Sequence, residues 1–431
     1  MRRSTRLGIA LGLWAAGLAS AQMVVIKDAK VFTVAGPVLD RASVLIRDGR
    51  IVEAGATVSE PPGAEVVDAR GLSLYPGLFD ADTILGMEGA RENTMGEFLP
   101  HLKAFWSFRT EADLIELARA NGVTHVVARP GRSGPGGRLR RGLLPGQAAV
   151  VSLLGETPEK IEITRDGPII VNFPSVGGLE YTGDERFAVP SWSATKKSYD
   201  RDVQSLRRFF REARGYRAAR QASSEAERRA TAPDLAFEAM IPVLDGKRVV
   251  YLPADTDVDI KAAVEFAKSE KLNFAIEGAE EAWKVLDFLK QQNVRVVYEA
   301  TYAVPAGEDE PIDIVARTPA LLHEKGIPFA LCGFGNAGSD SRHLPYLAGS
   351  AVAYGLPYDA ALRAVTLTPA EFLGLHDQLG SVEKGKRANL VLADGDIFEP
   401  KTRIRRVFID GRSVGLETIQ TRLYEKYRPR R

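Results

Sequence analysis

The stretch that decides the fold lies at residues 71–86 and reads Gly71-Leu-Ser-Leu-Tyr-Pro-Gly-Leu-Phe-Asp-Ala-Asp-Thr-Ile-Leu-Gly86. It follows a β-rich segment that ends near Leu74, and it contains a short apolar run that ends at Asp80 and Asp82. Short apolar runs bounded by turn residues are typical of buried strands. The stretch therefore predicts the first strand of a second unit, with two carboxylates at its end.

Both ends of the chain are rich in β-branched residues. Before the quoted stretch, residues 24–34, 43–47 and 50–54 predict strands, and Asp48-Gly49 marks a hairpin. Near the C-terminus, residues 388–393 and 403–409 predict further strands, closed by Asp410-Gly411. Two β-rich ends around a long middle predict one small β-sandwich domain built from both ends, with the middle inserted between them.

The middle of the chain alternates strand-like and helix-like segments. Short apolar runs occur at residues 123–128, 169–173, 249–252, 273–276, 294–299 and 327–331, and helical patterns follow most of them. Repeated β-then-α units with nearly continuous apolar strands favour a parallel sheet, and at this length a closed (β/α)8 TIM-like barrel. The Gly- and Pro-rich segment at 131–146 predicts a loop after the second strand. We therefore predict a signal peptide at 1–21, a sandwich at 22–75 and 385–415, a barrel at 76–384, and a C-terminal tail at 416–431.

The N-terminus has the pattern of a signal peptide. Arg2, Arg3 and Arg6 precede a short apolar core at residues 7–18, and Ala19-Ser20-Ala21 offers a cleavage site. The core is too short to span a bilayer comfortably, and no cysteine follows it to accept a lipid. We expect export to the periplasm or the medium after cleavage, the alternative being an uncleaved membrane anchor.

The composition excludes few functions. A net charge of +1 over 431 residues gives no electrostatic reason to expect nucleic acid or an anionic membrane as partner. The single cysteine, Cys332, excludes an internal disulfide, and its apolar strand predicts an inert buried thiol. Residues 198–230 carry many arginines with acidic residues interleaved, which favours a solvated helix face over an anion or nucleic-acid contact.

Three ordered motifs carry a family resemblance. Residues 71–86 resemble the start of the barrel in amidohydrolases of the imidazolonepropionase-like and dihydroorotase-like branches, which read Pro-Gly-Leu-Ile-Asp-x-His-x-His. Residues 360–375 resemble the penultimate helix of that family, and residues 379–392 its return strand into the small domain. The resemblance spans about residues 23–414. It implies hydrolysis of a non-peptide carbon–nitrogen bond, as in a cyclic amide or imide, by a divalent metal at the C-terminal ends of barrel strands.

The positions that hold metal ligands in this family carry other residues here. The His-x-His pair falls at Asp82 and Ile84, and an isoleucine cannot bind a metal. The histidine of the fifth strand falls within residues 250–254, which contain none, and that of the sixth strand falls next to Glu277. The aspartate of the eighth strand falls within residues 330–336, which also lack it. The resemblance therefore implies a barrel without its usual metal.

Polar residues at predicted strand ends remain as pocket candidates, because barrel enzymes place catalytic groups at the C-terminal rim. They are Asp80, Asp82, Arg129, Asn172, Glu277 and Glu299. His343, in the loop after the eighth strand, is a further pocket candidate. The carboxylates of Asp82, Glu277 and Glu299 could do acid/base work or hold a hard cation such as calcium. The alternative is structural: Asp80 makes a packing contact, and the two glutamates pair with arginines. His125, inside an apolar strand, predicts a core histidine.

Two functional hypotheses stay open. The first is a metal-free, catalytically silent barrel that binds a small ligand, or that scaffolds copies of itself or an active homologue. The second is an active hydrolase of a cyclic amide or similar small molecule with a reworked, carboxylate-based site, with or without one divalent metal. A purely structural role is a third possibility, which an apolar barrel mouth would favour.

Overall fold

The computed structural model describes residues 23–87, 89, 96–129, 142–155, 157–176, 180–181, 187–188, 192–230, 232–299, 301–305, 307–333 and 338–428. The predicted signal peptide at 1–21 and residues 131–141 of the Gly- and Pro-rich segment lie outside this part of the chain. Within it, no helix is both long and apolar enough to cross a membrane.

The strands are β1 Met23–Val31, β2 Leu39–Arg47, β3 Arg50–Gly55, β4 Glu65–Asp68, β5 Ser73–Pro76, β6 Leu78–Thr83, β7 Val123–Ala128, β8 Gly146–Gln147, β9 Ala149–Ser152, β10 Glu162–Thr164, β11 Ile169–Ile170, β12 Glu180–Tyr181, β13 Phe187–Ala188, β14 Val250–Ala254, β15 Phe274–Gly278, β16 Val296–Tyr298, β17 Phe329–Leu331, β18 Leu390–Ala393, β19 Ile404–Ile409 and β20 Arg412–Val414. The α-helices are α1 Asp113–Ala120, α2 Pro158–Ile161, α3 Trp192–Ala222, α4 Glu225–Ala230, α5 Leu235–Leu244, α6 Asp257–Ser269, α7 Leu286–Gln291, α8 Ile314–Glu324, α9 Leu344–Ala353, α10 Tyr358–Ala364, α11 Leu367–Phe372 and α12 Ile419–Tyr427. Short 3-10 helices occur at Ala104–Ser107, Ala282–Lys284 and Gly338–His343.

One sheet joins strands from both ends of the chain. Its order is β20-β19-β18-β5-β1-β2-β3, with β4 also beside β1. The two ends meet where β5 pairs antiparallel with β18, which sets Tyr75 opposite Val391. Apolar side chains from both ends, such as Ile26, Val44 and Leu390, form one core in this domain. The predicted small domain built from both ends is thus confirmed, whereas its exact boundaries at 75 and 385 stay predictions.

Two hairpin turns hold this domain together. Asp48 and Gly49 have φ of 49° and 78°, and Asp410 and Gly411 have φ of 50° and 72°. Positive φ at both central residues is the signature of the two-residue turn that suits twisted hairpins. The turns also touch, because a Cβ added to Gly49 would lie only 2.8 Å from the Asp410 carbonyl oxygen. The hairpin predicted at Asp48-Gly49 is confirmed, and Asp410-Gly411, predicted to close the second β segment, forms another.

The inserted middle forms the predicted barrel. Strand β6 pairs parallel with β7, and β11, β14, β15, β16 and β17 pair parallel in that order. Residues 146–152, which comprise β8 and β9, join the two sets, because β9 pairs with β7 and β8 pairs with β11. The ring closes between β17 and β6, where the Gly333 amide donates to Asp80 Oδ1 at 2.9 Å.

The third wall of the barrel departs from the all-parallel expectation. The 146–152 segment runs antiparallel to both neighbours, with Val127 opposite Val150 and Ile169 opposite Gln147. The chain returns after only residues 153–161, which include the single turn of α2. This short connection makes β10 an antiparallel partner of β9, because a parallel crossover needs a dozen or more residues.

Side chains fill the barrel interior. Its core contains Phe79, Ala81, Val127, Val150, Ile170, Tyr251, Ala275, Val297, Ala330 and Cys332, all of them buried. A separate apolar layer packs the outer faces of the strands against the surrounding helices. The barrel is therefore a packed core, and any site must lie at one of its two ends.

The charged segment at 198–230 is helical, in α3 and α4. Several of its arginines bond carboxylates of neighbouring elements: Arg207 and Arg214 bond Glu270, and Arg217 bonds Asp245. These arginines form ion pairs within the protein, as expected for a solvated face with interleaved charge.

His125 and Cys332 are both enclosed by the barrel. The His125 ring lies 5.8 Å from Phe79, its Nδ1 lies 2.9 Å from Thr124 Oγ1, and burial lowers its pKa to about 3. Cys332 is a free thiol whose pKa burial raises well above the usual value. A neutral core histidine and a protonated thiol match the structural roles predicted for them.

Candidate functional site at the C-terminal end of the barrel

Charged side chains gather where several barrel strands end. Asp82 lies near the end of β6, Arg129 directly after β7, Glu277 near the end of β15, and Glu299 directly after β16. Alternate residues of a strand point to the same side. The last three follow interior side chains by two positions, namely Val127, Ala275 and Val297. The strand period therefore carries these three charges into the interior. Asp82 directly follows the interior residue Ala81, where the register of β6 against β7 shifts between Asp80 and Thr83.

Arg129 links two of the carboxylates. Its Nε donates to both oxygens of Asp82, at 2.8 and 3.0 Å, and its Nη2 donates to Glu277 Oε1 at 2.6 Å. All three side chains are at most 3% exposed. This is a buried, charge-assisted network, which is stronger and more directional than an ion pair in water.

The arginine reaches across the barrel. Strands β6 and β7 are neighbours, whereas β15 lies on the opposite wall, four positions from β7 around the ring. An extended Arg129 side chain anchored beside Asp82 can reach Glu277 only by crossing the interior. The guanidinium therefore closes the top of the packed core and ties its two walls together.

The cluster has more negative than positive charge. Burial raises the pKa of Asp82 to about 8, Arg129 opposes this shift, and the carboxylates of Glu277 and Glu299 add to it. Three carboxylates with one guanidinium would carry a net charge of −2 if all were ionised. Because burial penalises such an excess, we expect the cluster to hold a proton near neutral pH.

Asp80 accepts hydrogen bonds from backbone amides. It is fully buried, and its Oδ1 accepts from the amides of Gly333 at 2.9 Å and Asp82 at 3.4 Å. Nearby, Thr83 Oγ1 lies 2.7 Å from Ser341 Oγ. Burial raises the pKa of Asp80 to about 6, opposed by the hydrogen bonds from Gly333 and Ser341. Asp80 thus joins the first strand to the last, the packing role that was one of its two predicted alternatives.

Two further candidates have other bonding partners. Asn172 is buried, but its Nδ2 donates to the Gly142 carbonyl at 3.0 Å and so fastens the chain before β8. His343 is about one-third exposed, with its Nε2 3.0 Å from Arg342 Nε and its Nδ1 3.8 Å from Asp340. The neighbouring Arg342 carbonyl accepts from Asn121 at the end of α1, which places this segment on the outer wall.

Among the described residues, no group of three or more His, Cys, Asp or Glu side chains is arranged to hold a metal ion. Both carboxylate oxygens of Asp82 and one of Glu277 accept hydrogen bonds from Arg129. What the arrangement can do chemically is to hold charge and protons inside the barrel and to fix the relative positions of its walls.

The sequence predicts which residues form the cluster but not which of them bond to one another. Strand ends identified Asp82, Arg129 and Glu277, and pairing of the glutamates with arginines was one alternative. Arg129 reaches the opposite wall because the closed barrel is narrow enough for its side chain. A local sequence pattern does not predict that width. The buried Tyr251, whose hydroxyl lies 3.4 Å from the Ala81 carbonyl beneath the cluster, was missed, because a tyrosine inside an apolar strand looks like ordinary core.

Comparison with known proteins adds independent information. Residues 286–414 match the model of the amidohydrolase family. An imidazolonepropionase of Mesorhizobium japonicum is 25% identical over 395 residues, covering 83% of this chain and 87% of the relative. A dihydroorotase of Mycobacterium bovis is 25% identical over 380 residues, covering 83% and 86%.

Solved structures agree. An amidohydrolase from Thermotoga maritima MSB8 superposes with a TM-score of 0.76 at 25% identity, covering 91% of this chain and 99% of the other. A molinate hydrolase superposes with a TM-score of 0.54 at 15% identity, covering 92% and 95%, which is evidence of a common fold alone.

Proposed function

We propose that this chain, which belongs to the amidohydrolase superfamily, is a catalytically silent member that holds no catalytic metal and works as a binding or scaffolding barrel. The observation that carries the proposal is the guanidinium of Arg129 inside the carboxylate cluster. An arginine is a permanent cation at any physiological pH. It supplies, from within the chain, positive charge at the end of the barrel where a metal-dependent relative would hold its ion.

The residues present do not fit a divalent metal. Of the two positions that match the His-x-His pair, Ile84 is buried and offers no ligand atom, and Asp82 has both oxygens on Arg129. A metal at Asp82 and Glu277 would have to approach a guanidinium held within 3 Å of both carboxylates. Repulsion between two cations in a buried site opposes such binding.

Burial of the cluster argues against catalysis by the carboxylates. A general acid or base must reach its substrate directly or through one water. Asp82, Arg129 and Glu277 are nearly inaccessible to solvent, and Glu299 is 7% exposed. A substrate could reach them only if the barrel end opened and the ion pairs broke.

A second function has one observation in its favour. The pKa of Asp82 is raised to about 8 and that of Asp80 to about 6. Carboxyl groups that titrate near neutral pH are typical of acid/base catalysts. An active hydrolase with a carboxylate-based site is therefore the alternative, but the same shifts are expected wherever carboxyls are buried for structural reasons.

The surface near the barrel end supports scaffolding over binding of a small ligand inside. The segment that follows β16 exposes large apolar side chains, with Tyr302 54%, Val304 74% and Ile312 81% accessible. Exposed apolar groups on one segment are more typical of a protein contact than of a polar substrate pocket. A second copy or an active homologue is the partner we propose. Export, by the signal peptide predicted at 1–21, would place that contact in the periplasm or outside the cell.

The test is an assay of ring hydrolysis. The purified protein is incubated with zinc, manganese or ferrous ions. It is then assayed with dihydroorotate and imidazolone propionate, the substrates that the names of its relatives indicate. An active dihydroorotase is the positive control. We expect no turnover above the uncatalysed rate. Turnover that disappears in Asp82→Asn would instead establish the carboxylate-based hydrolase.

A further inference from the structure

A polar cavity lies at the opposite end of the barrel from the cluster. It has a volume of about 190 Å³ and is bounded by residues that directly precede four parallel strands, together with the end of α11. These residues are Pro168 before β11, Val249 before β14, Asn273 before β15 and Arg295 before β16. We infer that this cavity binds a small oxyanion of the phosphate type, through Lys247, Arg248 and Arg295.

Three cations line the cavity, and the two acids that share it are already engaged. Asp166 pairs with Lys103 at 2.7 Å and more loosely with Arg248 at 3.4 Å, and Arg248 Nη1 also donates to Gln147 Oε1 at 2.7 Å. Glu371 accepts from Arg363 at 2.5 Å. Because Lys103 and Arg363 offset these acids from outside the cavity, the lining itself presents excess positive charge.

Arg295 gives the site its anchor. Among the described residues its guanidinium bonds neutral acceptors: Nε and Nη2 donate to the Phe274 carbonyl at 3.1 and 2.8 Å, Nη2 also donates to Asn273 Oδ1, and Nη1 donates to the Phe372 carbonyl at 3.4 Å. The Phe372 ring packs 5.4 Å from it. Burial lowers the pKa of Arg295. Among the described residues no carboxylate pairs with this largely enclosed cation, so an anion in the cavity would supply the missing charge.

The residue types define the chemistry of the ligand. Arg295 is held rigidly by backbone carbonyls and a ring, and the N–H groups of its Nη1 remain for a ligand, one of them 3.4 Å from the Phe372 carbonyl. A guanidinium N–H donates strongly to a phosphate oxygen. Lys247 is exposed and makes no ion pair among the described residues, so it can swing over the opening as a mobile charge. The cavity exceeds the size of one phosphate and includes Val249 and Phe372 in its walls. It can therefore take free phosphate or the phosphate of a small organic ester.

The experiment measures phosphate binding by titration calorimetry at constant ionic strength, with inorganic phosphate and glycerol phosphate as probes. Lys247→Gln removes an exposed charge on which folding does not depend, and Arg295→Gln removes the anchor. Lys401→Gln, at an exposed lysine of the small domain, is the matched control. We expect saturable binding of one phosphate, weakened roughly tenfold in Lys247→Gln, abolished in Arg295→Gln and unchanged in Lys401→Gln.

The two probes distinguish the sources of phosphate. Tighter binding of glycerol phosphate assigns the site to an organic ester, and equal or weaker binding assigns it to the free ion. Absence of saturable binding by either probe overturns the inference, as does binding that Lys247→Gln weakens no more than Lys401→Gln does. Neither result depends on whether the opposite end of the barrel is silent.

Discussion

Replacement of Arg129 by methionine tests the buried cluster directly. Methionine has similar length and no charge, so Arg129→Met removes three hydrogen bonds to Asp82 and Glu277 with little change in volume. Removing one partner from a buried ion pair costs about 3–5 kcal/mol, because it leaves uncompensated charge in the interior. Since two carboxylates lose their partner here, we expect the upper part of that range at about pH 8.

The penalty should depend on pH. Without the guanidinium, the buried carboxyls escape the cost of burial by binding protons, which raises their folded-state pKa further. A group with a raised folded pKa contributes stability that is present below its unfolded pKa and is lost as pH rises through the folded pKa. The variant should therefore lose more stability at about pH 8 than at about pH 5, where the carboxyls are protonated more easily.

The assay is denaturant unfolding of both proteins at the two pH values, followed by tryptophan fluorescence and circular dichroism. The expected result is a lower midpoint without a change in slope. The control is Arg406→Met, which breaks an exposed pair with Glu65 of equally short distance, 2.6 Å. That pair should be worth less than about 1 kcal/mol. If Arg129→Met is no more destabilising than Arg406→Met, the cluster does not hold the barrel together as described.

Three other perturbations have expected outcomes. Burial raises the pKa of Asp82 to about 8, so its contribution to stability should fall as pH rises toward that value, and Asp82→Asn should flatten the pH dependence of the unfolding midpoint. Gly278 has φ of 86°, and an added Cβ would lie 2.1 Å from Asp255 Oδ1. Gly278→Ala should therefore lower the free energy of unfolding by about 1–3 kcal/mol, more than Gly63→Ala, where φ is 82° and the space is open. Finally, the buried thiol of Cys332 should react with a thiol reagent only at the rate of unfolding, and fast labelling in the native protein would contradict its enclosure.

Much of the architecture follows from local sequence. Asp48-Gly49 and Asp410-Gly411 adopt the positive φ that such dipeptides favour, and short apolar runs become the parallel strands β7, β14, β15 and β16. The third wall was missed. Its residues 146–152 follow the Gly- and Pro-rich segment instead of a helix-like sequence pattern, so the β-then-α pattern does not mark them as barrel.

The site shows where local rules end. Asp82 directly follows the interior residue Ala81, at a register shift of β6 that alternation does not predict. Strand period does predict that Arg129 and Glu277 face the barrel interior, because both follow interior residues by two positions. It does not predict which carboxylates one guanidinium reaches, because that depends on ring closure and side-chain length. Asn172 satisfies the same strand-end rule as the cluster members, yet it bonds the Gly142 carbonyl. His343, predicted in the loop after the eighth strand, bonds Arg342 instead.

The central claim is that the positive charge of Arg129 stands in place of a metal. Elemental analysis of the mature protein tests it most directly, on material purified without chelators or a metal-binding tag and then incubated with zinc, iron and manganese in turn. The account predicts no stoichiometric metal under any of these conditions. About one equivalent of bound zinc, iron or manganese, retained after gel filtration and lost in Asp82→Asn, would contradict it.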